Sequence, residues 1–500
     1  MKKFLSILLM SLMVLSVFVG CGDKSTQETP NETPSETPGE TSETGIGTKE
    51  SPVEVSIILK DASPNDEAIQ SIVKAIEEGM AEEENYVKIT FLEPPTGTYG
   101  EAVPLAFRTG QISPDIIYFQ GGDLPVSNDG LLEDLTEYVQ NSAYVKNLME
   151  EHTKVKLENY PYLLWLAPAR VPAPVMRKDF ADQLDSFDAV MQDPTVENYE
   201  KMLTEIVEKG VAKYAITSDG DLSRMNTVFN QAFGVTGTIV KEDGKWVFSK
   251  ASEFEKNKLE FFARLYKNGL IDPEYITKQW DTMEKSFYEG EAAFIAGTAG
   301  AVINIYNNKM TQTHGEGAEL VVLPPAKGVS QGYTAIDVSK ESRGFAINAQ
   351  SKVKDAAFAV LDFMASPKGN MLDKLGIEGT HYNVEGEKIV FTEKFPEWYP
   401  RFWETLNKFE PTPELAEPMM SAPGLKSLEM AKEYYVEDVN VLIPDHLISQ
   451  WDAMNTLYKE YSSDIIRGVR PVSDFDEFVE KWNQSGGTEF ESYLVEQLGN

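Results

Sequence analysis

The chain of 500 residues holds a single cysteine, Cys21, and only four histidines, His152, His314, His381 and His446. One thiol excludes an internal disulfide, cysteine-ligated zinc and iron–sulfur clusters, and the scattered histidines form no H-E-x-x-H pair, so no metal site is read. Positive charge is scarce as well. Against 80 Asp and Glu stand 45 Lys and Arg, a formal net charge of −35 that disfavours nucleic acid and anionic surfaces as partners. A G-x-x-x-x-G-K-[ST] phosphate loop is absent, and no cofactor is expected.

What is present begins with an export signal over 1–20. Lys2 and Lys3 precede an apolar run from Phe4 to Val19, ending in Gly20-Cys21. That run is shorter than the about 20 residues that cross a bilayer, and its charge pattern is that of a signal peptide. A lone cysteine directly after the signal's small residue is explained by lipid attachment, which makes Cys21 the mature N-terminus. From Gly22 to about Ser51 the chain is rich in Thr, Glu, Pro and Ser, with Glu-Thr-Pro recurring at Glu28, Glu32 and Glu36. Such a stretch has no apolar face to bury, so 21–51 is expected to be a disordered tether. The folded part is therefore expected on the extracytoplasmic side of the cell membrane, attached by its lipid alone.

About 450 residues remain after the tether, more than a single core accommodates, and two lobes are expected. The pattern predicts a strand at 53–59, a helix at 66–83 with Ile69, Ile72, Val73 and Ile76 on one face, and a strand at 87–91. A helix at 99–108 and an apolar strand at 115–119 follow. This alternation specifies an α/β fold with a mostly parallel, helix-covered sheet. Ligands of such sheets sit beyond the carboxyl ends of the strands, which points to the loop Gln120-Gly121-Gly122-Asp123. Further on, a Pro- and Ala-rich passage at 167–174 reads as a crossing. Helical patterns follow at 198–209, 253–268 and 354–365.

Several landmarks along the chain resemble one family: Pro114-Asp115-Ile116, Met176-Arg177-Lys178-Asp179-Phe180, the run Phe287 to Phe294, and Ala346-Ile347-Asn348-Ala349. Gly376 to Tyr382, and the closing run from Arg467-Gly468 through Asp474-Phe475-Asp476 to Trp482, extend the likeness to the C-terminal third. In order and spacing they resemble bacterial ABC-transporter solute-binding proteins of the family 1 sugar-binding type, above all the large Gram-positive oligosaccharide-binding lipoproteins. The resemblance implies a two-lobe, type II periplasmic-binding-protein-like fold with a mixed sheet in each lobe and the ligand cleft between them. It implies lobe 1 from 52–174 plus 296–346, and lobe 2 from 175–295 plus 347–500. It also implies hinge closure on an oligosaccharide or other sugar, with two permease subunits and a cytoplasmic ATPase as partners and a monomeric state. The segment Phe18-Val19-Gly20-Cys21 resembles a bacterial lipobox, with Phe18 where that pattern usually has leucine. The segment Gln192 to Asn198 lacks the spacing of a calcium loop, and Gly297 to Val302 lacks the tryptophan that many sugar binders place there.

A sugar offers apolar faces and rings of hydroxyls, so its site needs exposed aromatic planes beside fixed amides, carboxylates and guanidinium groups. Phe119, Gln120 and Asp123 end the third strand, and Trp165 and Arg170 precede the crossing. Trp280 and Asp281 lie in a polar turn, while Asp337 and Arg343 flank a return crossing. His381 and Tyr382 follow a glycine-flanked turn, and Trp398 and Trp403 belong to a dense aromatic cluster with Tyr399 and Phe402. Core packing is the alternative role for each of these rings. No catalytic residue is read, and the chain is not expected to be an enzyme. A carbohydrate-active hydrolase and a surface adhesin are the rival readings, and 80 acidic residues offer too many carboxylate pairs for any to inform. The segment Gly328-Val329-Ser330-Gln331-Gly332 matches G-x-S-x-G but lacks the strand-to-helix setting of a nucleophile elbow.

Overall fold

The computed structural model describes residues 45–336 and 338–499. The signal segment, Cys21, most of the expected tether and Asp337 lie outside the described residues. Among those described, no helix is long and apolar enough to cross a membrane.

Two four-stranded mixed sheets organise the molecule. The first contains β1 (Val53–Ile58), β2 (Val87–Phe91), β3 (Ile116–Gln120) and β8 (Arg343–Ile347), in the order β8-β3-β1-β2. β1 runs parallel to β2 and β3, and β8 antiparallel to β3. The second sheet contains β4 (Pro172–Arg177), β5 (Tyr214–Ile216), β6 (Ala292–Thr298) and β7 (Leu320–Val322), in the order β5-β6-β4-β7.

Local sequence explains the elements. Asp66 caps the helix Glu67–Glu82 by accepting from the Ala68 amide, and that helix buries Ile69, Ile72 and Ile76 at its apolar spacing. Ser252 and Thr195 cap the helices Glu253–Lys267 and Val196–Glu208 in the same way. Alternation along β3 and β8 sends Ile116, Tyr118, Phe345 and Ile347 into one core, and Ile117, Phe119 and Ala346 into another on the opposite face.

The packing divides the chain differently from the boundaries implied by the resemblance. Residues 301–335 were expected with the first lobe, yet Ile303, Tyr306, Val322 and Tyr333 share a core with Val175 of the second sheet. Residues 354–403 were expected with the second lobe, yet Ala357, Phe363, Phe402 and Trp403 pack with β1 and β3 of the first. The physical reason is strand pairing: β6 and β7 both pair with β4, so the chain stays in the second half until it returns as β8. A helix at Ala422–Glu433 then goes back, its Met430 and Ala431 joining Tyr306. The chain therefore passes between the halves three times.

The return segment 398–404 has no helix, although Tyr399, Phe402 and Trp403 show helical spacing. It is fixed instead by Asp373. This fully buried carboxylate accepts the backbone N–H groups of Arg401, Phe402 and Trp403 and the ammonium of Lys374, itself buried. Replacing Asp373 with Ala would leave that ammonium without its counter-ion in the core, held only by the Trp403 carbonyl, and release three amides. Asp373→Ala is expected to cost about 3–5 kcal/mol, measured as a lowered urea midpoint against wild type; an unchanged midpoint would refute the role given to Asp373.

Candidate functional site

The connections between the halves set the site. Segment 166–171 leaves the first sheet and 335–342 returns to it. They lie antiparallel, bridged at Leu164 with Phe345 and at Arg170 with Ile336. Gly344 allows this approach, because a Cβ there would stand 2.9 Å from the Leu164 carbonyl oxygen. The third connection joins them where the Glu404 amide donates to the Leu166 carbonyl at 2.9 Å.

These segments run from the carboxyl edge of one sheet to the carboxyl edge of the other. β1 and β3 end at that edge in the first half, and β8 begins there. In the second half β5 and β6 end where β4 begins. The loops after β1, β3, β5 and β6 thus face one another across a cleft, the position where open α/β sheets bind ligands. After β3, Gly121 and Gly122 are left-handed, with φ of 96° and 74°; a Cβ on Gly122 would press on the Gly100 carbonyl oxygen at 2.8 Å.

The cleft has two flanks, corresponding to the two faces of the sheets. One flank opens into a cavity of about 1540 Å³, to which the first half contributes Leu124, Ser127 and Tyr160, and the second Asp221, Asn226 and Trp451. Much of its charge is already paired: Lys258 with Glu255 at 2.9 Å, and Arg467 with Asp464 at 2.8 Å. On the other flank Arg343 donates to the Tyr118 hydroxyl at 2.6 Å, pairs with Glu404 at 3.2 Å and lies 5.0 Å from the Trp165 ring centre. Burial raises the Tyr118 hydroxyl to about 12, and its oxygen accepts from the Arg343 Nε. In the second half, Trp280 begins the helix Trp280–Tyr288, and the Arg224 guanidinium lies 4.0 Å from its ring centre. Arg224 is paired with Asp219, in the loop after β5, a residue that also borders the cavity.

A buried polar network ties the connections to the first half. Arg170 pairs with Glu341, whose carbonyl accepts from the Lys156 ammonium. Asp123, fully buried, accepts from the Tyr162 hydroxyl at 3.1 Å and from Ser342. Burial pushes the Asp123 carboxyl above its ordinary value and the Lys156 ammonium down to about 8.

The sequence-derived candidates separate accordingly. Trp280 and Asp281 are exposed, in a helical first turn rather than a loop, and Arg343 and Arg170 stand at the connections. Gln120 is half-buried at the end of β3, and Asp123 acts within the buried network. Phe119, Trp165, Trp398 and Trp403 are buried in core clusters. Tyr382 fills a small separate core with Leu375 and Ile389, and the half-buried His381 accepts from the Ile377 amide through Nδ1. Asp337 lies outside the described residues. None of the described candidates lines the large cavity. Tyr399, not singled out beside its two tryptophan neighbours, is the ring of that cluster most open to solvent, at 59%. The Tyr399-Pro400 pair signals a non-helical turn. Ser330 of the G-x-S-x-G segment donates to the Gln231 carbonyl from an irregular turn, without an elbow. Among the described residues, no group of three or more His, Cys, Asp or Glu is placed to hold a metal ion.

Residues 62–371, more than half of the chain, match the family model of bacterial extracellular solute-binding proteins. The chain belongs to that family. It is 20% identical over 484 residues to lipoprotein LipO of Bacillus subtilis strain 168, covering 90% of this chain and 92% of that one. It is 25% identical over 347 residues to the polygalacturonan/rhamnogalacturonan-binding protein YtcQ of the same organism, covering 63% and 65%. An extracellular solute-binding protein from Bifidobacterium longum subsp. infantis shares the fold with a TM-score of 0.67 at 14% identity, over 89% of this chain and 98% of that one. The N-glycan transport solute-binding protein NgtS from Streptococcus pneumoniae, in complex with Man1GlcNAc, shares it with a TM-score of 0.59 at 17% identity, over 89% and 100%. The solute-binding protein is thus a two-lobe α/β fold of the kind the resemblance implied.

The depressed Lys156 sets a pH dependence. Its folded value of about 8 lies below the unfolded value near 10.5, so the unfolded chain binds more protons between them and stability rises with pH in that window. The stability difference between wild type and Lys156→Met is therefore expected to shift in favour of wild type by about 2–3 kcal/mol from pH 8 to pH 10. Urea denaturation at each pH measures it; parallel profiles would refute a buried, depressed Lys156.

Proposed function

We propose that this protein is an extracytoplasmic solute-binding lipoprotein, anchored through Cys21, that captures a carbohydrate between its halves by hinge closure. It delivers that ligand to two ABC permease subunits served by a cytoplasmic ATPase. It acts as a monomer and releases its ligand chemically unchanged. The observation that carries this reading is the cleft itself: two carboxyl edges, joined by three connections, bearing aromatic rings beside guanidinium, carboxylate and amide groups. That mixture suits a ligand with apolar faces and many hydroxyls. The likeness to YtcQ, a polygalacturonan/rhamnogalacturonan-binding protein, and to NgtS, an N-glycan transport protein in complex with Man1GlcNAc, supports the same class.

Hinge motion follows from the construction. The halves have separate cores, and few residues in the connections absorb the change between open and closed forms. The paired segments 166–171 and 335–342 hold the axis of that motion, with Arg170 and Glu341 bracing it from within.

A bound oligosaccharide is expected to stabilise the protein by about 2.7 kcal/mol at 100 times its dissociation constant, seen as a raised Tm. Small-angle scattering should show a smaller radius of gyration, and the sugar should be recovered intact. Recovery of cleaved sugar would establish a hydrolase instead, and a shift produced only by peptides would assign another ligand class.

A further inference from the structure

We infer, resting on the carbohydrate reading above, that the ligand lies on the Tyr399–Trp280 flank rather than in the large cavity, and that it is a neutral oligosaccharide gripped by one aromatic plane from each half. Exposure carries the first part. Tyr399 at 59% and Trp280 at 39% are aromatic rings left open to water, one at each carboxyl edge. Large rings are normally drawn into cores, so rings held open at facing edges mark a contact surface.

Both are held in place. Tyr399 follows Trp398, whose indole N–H donates to the Asp373 carbonyl at 2.8 Å, and precedes the segment clamped by the Asp373 carboxylate. Glu404 and Arg343 act on its hydroxyl, which puts the ring beside the Arg343–Glu404 pair. Trp280 is backed by the Arg224 guanidinium, which leaves the rest of its exposed surface for a sugar face. Near Tyr399, the indole N–H groups of Trp165 and Trp403 and the Arg401 Nε are buried without a hydrogen-bond partner. On the cavity flank some polar groups pair with one another, as when the Tyr458 hydroxyl donates to Glu255 at 2.7 Å and Lys250 to Asn455 at 2.6 Å.

Charge carries the second part. Arg343 is paired with Glu404, Arg224 with Asp219, and Lys60 lies 3.9 Å from Asp61. Arg401 stands over Trp398 and donates to the Tyr399 carbonyl, while Asp66 and Asp373 act on it from nearby. Glu284 and Asp281 add negative charge beside Trp280. Each ion pair offers a donor and an acceptor to hydroxyl groups, yet the flank holds no excess of positive charge for a row of uronates.

The test titrates the purified protein, and its Trp280→Ala, Trp280→Phe, Tyr399→Ala and Asn128→Ala variants, with xylotetraose, cellotetraose, mannotetraose, arabinotetraose and trigalacturonate. Trialanine serves as the control. Asn128 is an exposed residue at the cavity. The expected result is a neutral tetrasaccharide bound more tightly than trigalacturonate. Its affinity should fall about tenfold in Trp280→Ala and Tyr399→Ala, recover in Trp280→Phe and stay unchanged in Asn128→Ala. Tighter binding of trigalacturonate overturns the neutral assignment, and a loss confined to Asn128→Ala overturns the flank, while both leave the carbohydrate reading standing. Binding of no saccharide defeats that reading, and this inference with it.

Discussion

The antiparallel contact between segments 166–171 and 335–342 is the constraint on which the rest of the molecule depends. Two backbones bridged at Leu164 with Phe345 and at Arg170 with Ile336 set which strand ends meet across the cleft. Because β4 begins where β6 ends, and β8 begins where β3 ends, the same short segments turn both carboxyl edges toward each other. Ligand-contacting loops then need no further device to face one another. Gly344 is part of this constraint, since any side chain there would push the connections apart.

Several of the buried charges stand near a connection. Asp373 organises the third passage through backbone amides, and Asp123, Lys156 and Glu341 bind the first two to the core beside them. Such groups add little net stability compared with well-packed apolar residues, but they are costly to break singly and so specify one arrangement. Here they fix the path the chain takes between the two halves. The cores themselves are ordinary: separate clusters of Ile, Leu, Phe and Met on each face of each sheet.

The elements were largely legible in the sequence because their causes are local. The helix Glu67–Glu82 follows from the Asp66 cap and the spacing of its isoleucines, and β3 from an apolar run behind Pro114. The division of the chain was less legible. Nothing within 301–335 or 354–403 states which sheet it joins, because strand pairing and helix docking are choices among distant partners. The rings of the candidate site divide for the same reason. Trp165, Trp398 and Trp403 occupy core positions and Tyr399 a surface one, although all are large aromatics in irregular stretches.

Beside the landmarks that resemble the family, the sequence by itself determined the α/β alternation and the loops after the strands. These rest on composition, period and capping, which each segment carries alone. Only the tertiary structure decided the three passages between the halves, the burial of Asp123 and the exposure of Tyr399 and Trp280. Burial belongs to the surface that residues distant in sequence leave uncovered, and that surface exists only once both sheets have chosen their strands.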